Sequence, residues 1–262
     1  MASDFIFIRK SRNAVSTFLH VILNILLGVG SIAVTIVSGS WIVGFILVLL
    51  SKWRIFAVRP RYYFLNIKSN LVDLIVGFSF VLMAYFLGVE VIPAHYILMA
   101  LYSLWLTVVK PKTTEAWNLV QAEVAIFMGT AVASILSAAL NSAILVLIEF
   151  VVGYGAARHV LAQNNYQKSN GYPAMTFGLM FAEVALIMQA WNIVYVLPET
   201  GMMVPQLAII MSLVGFACER MYRAVEARDG ELRMKDVAMP LAFSLVIIGV
   251  ILIVFSEPLF NV

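Results

Sequence analysis

Nine apolar stretches, most of them about long enough to cross a membrane as a helix, follow one another along the 262 residues and leave few ways to fold the chain. A crossing helix needs roughly 20 mostly apolar residues to span a hydrocarbon core of about 30 Å. The stretches run over residues 14–37, 41–57, 71–87, 94–109, 117–140, 142–161, 174–196, 206–222 and 237–255. The first break is placed at Ser38-Gly39-Ser40, with Gly28-Val29-Gly30-Ser31 as the alternative turn. Hydrophobic residues make up 63% and charged residues 12%, whereas soluble domains run near 45–50% apolar and about 25% charged. A soluble fold of this length cannot hide so much apolar surface. The expected fold class is therefore all-α: a polytopic integral membrane bundle of about nine transmembrane helices in tandem hairpins, forming one domain over residues 1–262.

The charges give an orientation. With the N-terminus inside, every one of the 17 Lys and Arg residues falls on the same side. The groups are Arg9, Lys10 and Arg12; Lys52, Arg54, Arg59, Arg61 and Lys68; Lys110 and Lys112; Arg158 and Lys168; and Arg220, Arg223, Arg228, Arg233 and Lys235. The opposite connections carry Glu90, Glu199 and Glu257. Positive loops stay cytoplasmic during insertion, so the N-terminus is expected in the cytoplasm and the C-terminus outside, in a plasma (inner) membrane. The first 13 residues resemble a signal-peptide n-region, but run 14–37 is too long for an h-region and reads as a retained helix. The segment 223–236 reads as a charged extension of the eighth helix, broken at Asp229-Gly230. Trp41, Trp53, Trp105 and Trp117 are expected at interfaces, and Trp191 deeper in its helix.

The net charge of +3 and pI near 9.0 point to anionic lipid head groups at the cytoplasmic face as partners, because the basic residues sit in short gaps between apolar runs. No nucleic-acid motif accompanies them. The single cysteine, Cys218, excludes an intrachain disulfide.

Internal similarity suggests duplicated hairpins. Residues 121–128 read QAEVAIFM and residues 181–188 read FAEVALIM, which aligns Glu123 with Glu183. Val152-Gly153-Tyr154 with Arg158 aligns with Val214-Gly215-Phe216 with Arg220, and VRPR at 58–61 echoes VKPK at 109–112. The expected units are 14–63, 70–113, 117–163 and 174–226, then a final helix 237–256. All would enter from one side, as parallel repeats.

Ionisable groups within a bilayer cost about 2.5–3.5 kcal/mol at its centre and tend to face protein or water. Asp73 and Glu219 lie near cytoplasmic ends, where snorkelling or pairing with Arg220 or Arg223 accounts for them. Glu123 and Glu183 lie roughly 9 Å and 14 Å into their helices, with Arg158 and Arg220 as candidate ion-pair partners on the returning helices. Glu149 lies roughly 12 Å from the outer end of its helix, with no basic residue near it. Gln189, Trp191 and Asn192 are candidates to line a path with these carboxyl groups. His20 and Asn24 read as interhelical glue, and His95 and His159 lack metal-ligand partners at helical spacing.

Zinc-helix, phosphate-loop and nucleophile-elbow motifs are missing, and the sequence leaves any cofactor unknown. An enzyme is therefore disfavoured. The leading expectation is a small secondary transporter or channel-like protein that uses Glu123, Glu149 and Glu183 for a cation, proton or small polar substrate. The alternative is a non-catalytic membrane scaffold whose carboxylates are structural clamps. The many small residues also permit a homo-oligomer or a membrane-protein partner.

Overall fold

A computed structural model describes residues 2–163, 171–228, 231 and 233–255, with side chains from Ser16 onward except those of Arg54 and Gln163. The expectations for Lys168, Asp229-Gly230 and Glu257, and for the side chains of Arg9, Lys10, Arg12 and Arg54, lie outside the described residues.

The chain is helical almost throughout. The elements are α1 (Ala2–Ser38), α2 (Trp41–Ser51), α3 (Trp53–Phe56), a short 3₁₀ turn (Pro60–Tyr62), α4 (Tyr63–Ser69), α5 (Leu71–Leu87), α6 (Ile92–Leu104) with a π-helical turn (Trp105–Val109), α7 (Glu115–Leu136), α8 (Ser142–Gln163), α9 (Tyr172–Ala190), β1 (Val194–Val196), β2 (Met203–Pro205), α10 (Gln206–Glu226) and α11 (Met234–Val254).

Six helical segments are long and apolar enough to cross a membrane: Ser16–Ser38 within α1, Ile92–Val109, α7, Ser142–Ala162 within α8, α9 and α11. A seventh candidate is the pair Pro60–Ser69 and Leu71–Leu87, bent by 71° at Asn70. The remaining expected stretches fall short for visible reasons. Helix α2 has only 11 residues, because Lys52 breaks it and turns its side chain inward. The second half of α10 carries Glu219, Arg220, Arg223 and Glu226.

One uncertain boundary falls where the sequence placed it, at Ser38-Gly39-Ser40, and another does not. Helix α1 is continuous through Gly28-Val29-Gly30-Ser31. The turn comes at Gly39, whose φ of +60° suits a residue without a Cβ. Helix α9 stops at Ala190 rather than near residue 196. Ile193, Val194 and Val196 are β-branched and stiff at χ1, and this stretch pairs antiparallel with Met203–Pro205 instead. The resulting ribbon, with Tyr195 opposite Val204, leads directly into α10.

Helix α7 is the most buried of the six, and α5, α8 and α10 pack around it. Helix α9 packs along α8, while α1 sits against α2 and α6, and α11 sits against α10. Small residues set these approaches, as expected where dispersion and close packing drive helix association. At Gly153 of α8 an added Cβ would lie 2.6 Å from Cγ and 2.8 Å from Cβ of Phe181 on α9. At Gly30 of α1 it would meet nothing within 4 Å.

These two glycines should respond oppositely to the same change. Gly153→Ala should destabilise the detergent-solubilised protein by roughly 1–3 kcal/mol through overpacking. Gly30→Ala should leave stability unchanged or raise it by up to about 1 kcal/mol through helix propensity. Thermal melts of the two variants beside the parent check this.

Candidate functional site

The polar side chains collect at the helix ends and in two cavities. At the end where α2 finishes and α5 begins, Asp73 in the first turn of α5 is 8% exposed. It forms ion pairs with Lys52, itself 6% exposed, and with Lys110 Nζ at 2.7 Å. Trp105 Nε1 donates a hydrogen bond to its other oxygen at 3.3 Å. Trp105 and Lys110 bracket the π-helical turn, in which Lys110 N bonds Trp105 O at 2.9 Å. The extra residue of such a turn re-aims side chains, and here both flanking residues reach the same carboxylate. Lys52 and Trp105 thus depart from the sequence expectation of loop and interface residues, because both are buried around Asp73.

Beside this cluster lies a polar cavity of about 160 Å³ whose walls include Asp73, Lys110, Lys112, Asn118, Gln121 and His159. Gln121 ties its wall together. Its Nε2 donates to the carbonyls of Val109 and Lys112, both at 2.8 Å, so its Oε1 is the acceptor that faces His159 Nε2 at 2.8 Å. A ring N–H is the only donor His159 can offer there, which fixes the proton on Nε2 and leaves Nδ1 as its second polar atom.

A second cavity, about 170 Å³, opens between α7, α8, α9 and α10. Its walls are mainly apolar, among them Leu119, Ile126, Val160 and Phe177, but they carry two carboxyl groups, those of Glu123 and Glu219. Glu219 is held by Arg223 through an ion pair one turn away and lies 3.6 Å from Arg220 Nε. Among the described residues no hydrogen bond or ion pair reaches Glu123. Its oxygens point toward Gly215 of α10, where a Cβ would sit only 3.2 Å from Oε1. Arg220 therefore partners Glu219, the residue beside it, and lies 5.1 Å from the Phe216 ring centroid. No ion pair joins Arg158 to Glu123 among the described residues.

Glu149 stands apart on α8, fully buried. Thr130 of α7 donates to its Oε2 at 3.2 Å, while its Oε1 has no hydrogen-bond partner among the described residues. Glu183 occupies the exposed face of α9 with Leu179, Leu186 and Ile187. The repeat-matched pair Glu123 and Glu183 thus sits in two different environments.

Of the remaining sequence candidates, Gln189, Trp191 and Asn192 lie at the opposite end of the bundle. Asn192 Nδ2 donates to Ser134 O at 2.7 Å and Ser137 Oγ at 2.8 Å, and Asn192 Oδ1 accepts from Ser134 Oγ. It clasps the last turn of α7 to the chain leaving α9. Gln189 Oε1 accepts from Ser142 Oγ at 2.6 Å, and Trp191, the residue after α9, is 43% exposed. Asn24 of α1 donates to Leu106 O at 3.3 Å, joining α1 to the π turn, and buried His95 meets Ala84 O at 3.2 Å. No group of three or more His, Cys, Asp or Glu arranged to hold a metal occurs among the described residues.

Sequence reasoning missed the Lys52–Asp73–Lys110 cluster, the Gln121–His159 link and the approach of Glu219 to the Glu123 cavity. One usable signal was present: Asp73 opens a helix directly after a loop rich in Lys and Arg. Compared with protein-family models, curated proteins and solved structures, the chain matches none.

Removing one partner of a buried ion pair strands the other charge at a cost of about 3–5 kcal/mol. Asp73→Asn, which strands buried Lys52, should therefore lower stability far more than Lys112→Gln, whose side chain is exposed and makes no ion pair among the described residues. Chemical denaturation of both variants in the same detergent gives the comparison.

Proposed function

We propose that the chain is a multi-pass transport protein that takes a small cation or a proton at the Glu123 carboxyl, in the cavity between α7, α8, α9 and α10. One observation carries this reading: a carboxyl group with no partner among the described residues faces an otherwise apolar cavity of about 170 Å³, beside a second carboxyl already matched by arginine. The division of labour follows from charge. Glu219 is compensated by Arg220 and Arg223, so it shapes the local field without needing a further cation. Glu123 is the group left to bind one. The rings of Phe177 and Tyr222 in the same walls suit a cation with an apolar body, because aromatic faces attract positive charge. The volume equals the liquid share of roughly five or six waters at about 30 Å³ each, which limits the substrate to a small molecule or a hydrated ion. Glu149 of α8, buried with one hydrogen bond from Thr130 of α7, is a second proton-exchange group.

In this reading α2 continued by α3, α5 and α10 serve as three shorter spans beside the six long helices, and the lysine-rich end with Asp73 and Lys110 faces the cytoplasm. Cysteines placed singly by Lys112→Cys and Glu199→Cys, in a Cys218→Ala background, should then react with an impermeant maleimide from opposite sides of the membrane. Labelling of both from one side would overturn the orientation.

The rival reading is a scaffold that transports nothing, favoured by the arginine pairing of Glu219. Purified protein screened by thermal shift against Na⁺, K⁺ and a series of tetraalkylammonium ions separates the two. A cation-specific rise in melting temperature is expected in the parent and absent in Glu123→Gln, since a ligand that binds only the folded state stabilises it by mass action. Uniform behaviour of parent and Glu123→Gln across the series, with cation flux into proteoliposomes no faster than in empty vesicles, would favour the scaffold.

A further inference from the structure

The polar cavity at the lysine-rich end has no part in the cation reading, yet its charge is unbalanced. Lys52 and Lys110 both pair with the single carboxylate of Asp73. Lys112 adds another ammonium in the cavity wall. Two lysines thus line the cavity beside a single carboxylate that already answers buried Lys52, and charge left without a partner is costly. The other wall groups include donors. The Thr113 hydroxyl is one of them, and the imidazole of His159, whose proton Gln121 takes, also lines the cavity. Gln121 and the loop carbonyls of Val109 and Lys112 satisfy each other, so the loop that presents Lys110 and Lys112 is tied to α7.

From this cluster we infer that the cavity binds a phosphate-bearing anion, held by Lys110 and Lys112. Phosphate matches the site because its several acceptor oxygens can take ammonium and hydroxyl donors at once, and charge-assisted hydrogen bonds are the strong ones. The volume of about 160 Å³ accommodates one such group. Two sources share this chemistry: a phospholipid head group entering sideways, or free phosphate from the aqueous phase. Trp53, 60% exposed and next in sequence to Lys52, suits head-group depth at this end of the bundle, where a lipid phosphate would sit.

The test uses the full-length protein. Melting temperature is followed in detergent while inorganic phosphate is titrated against sodium chloride of matched ionic strength. It is then compared in nanodiscs of phosphatidylglycerol and of phosphatidylcholine. Lys112→Gln is the diagnostic variant, because Lys112 makes no ion pair among the described residues and its loss leaves the Asp73 cluster whole. Lys235→Gln, exposed at the start of α11, is the control for general surface charge. The expected result is stabilisation by phosphate, with a half-maximal concentration raised about tenfold in Lys112→Gln and unchanged in Lys235→Gln. Stabilisation by phosphatidylglycerol but not by inorganic phosphate, again lost in Lys112→Gln alone, also supports the site and assigns it to a lipid head group. Equal responses of the parent and Lys112→Gln, or no stabilisation by either anion beyond the chloride and phosphatidylcholine controls, would overturn it. None of these readouts depends on Glu123, so the site and the cation reading can fail separately.

Discussion

The close packing of α7 against its neighbours is the contact on which the rest of the bundle depends. Its inner face is built from Ala122, Ala125, Gly129, Ala131, Ala133 and Ser134. Small side chains let α5, α8 and α10 approach closely; a Cβ at Gly129 would sit 2.6 Å from a Val152 methyl and 3.1 Å from one of Ile75. Such packing, rather than exclusion of water, holds helices together in an apolar solvent. Because α7 is surrounded, its few polar residues must be answered from inside the chain. Gln121 takes the carbonyls of the preceding loop, Thr130 meets Glu149, and Ser134 meets Asn192. Each of these contacts ties a different part of the chain to the same helix.

That arrangement explains how two cavities of opposite character can lie so close together. One side of the early turns of α7 carries Asn118 and Gln121 and faces the lysine-bearing loop; another carries Leu119, Glu123 and Ile126 and faces α10. A helix turns through 100° per residue, so positions 121 and 123 point in different directions although they are two residues apart. The result is a lysine-lined pocket and a carboxyl-bearing pocket sharing a wall. The arginines on Glu219 confine the positive charge of α10 to its own carboxylate and leave Glu123 uncompensated.

Polar glue at the two ends is distributed differently. At the lysine-rich end it is ionic, centred on Asp73, with a π-helical turn delivering Trp105 and Lys110 to it. At the other end it is neutral: Asn192 on α7, Gln189 on Ser142, and Gln206 donating to Tyr195 Oη at 2.9 Å and to Phe255 O at 3.1 Å. Neutral amide and hydroxyl contacts hold helices without the desolvation cost of a buried ion pair. They also explain why Gln189 and Asn192, which read as path-lining residues in sequence, are engaged in joining helix ends.

Sequence alone determined the helical class and most helix positions, because hydrophobic run length and charge between runs are local properties that lipid enforces on every segment. Cys218 as an isolated cysteine and Asn24 as an interhelical contact were legible for the same reason. Boundaries were lost where a partner elsewhere in the chain intervened: Lys52 ends α2 because Asp73 draws it inward, and α9 stops early because residues 194–196 pair with a strand seven to eleven positions downstream. Only the tertiary structure decided which carboxyl groups share a space. Glu123 and Glu183 match in sequence but differ in burial, while Glu123 and Glu219, unrelated in the repeat, line one cavity. The reason is that periodicity places a residue on a face of its own helix, whereas the helix that covers that face is chosen by packing between segments far apart in the chain.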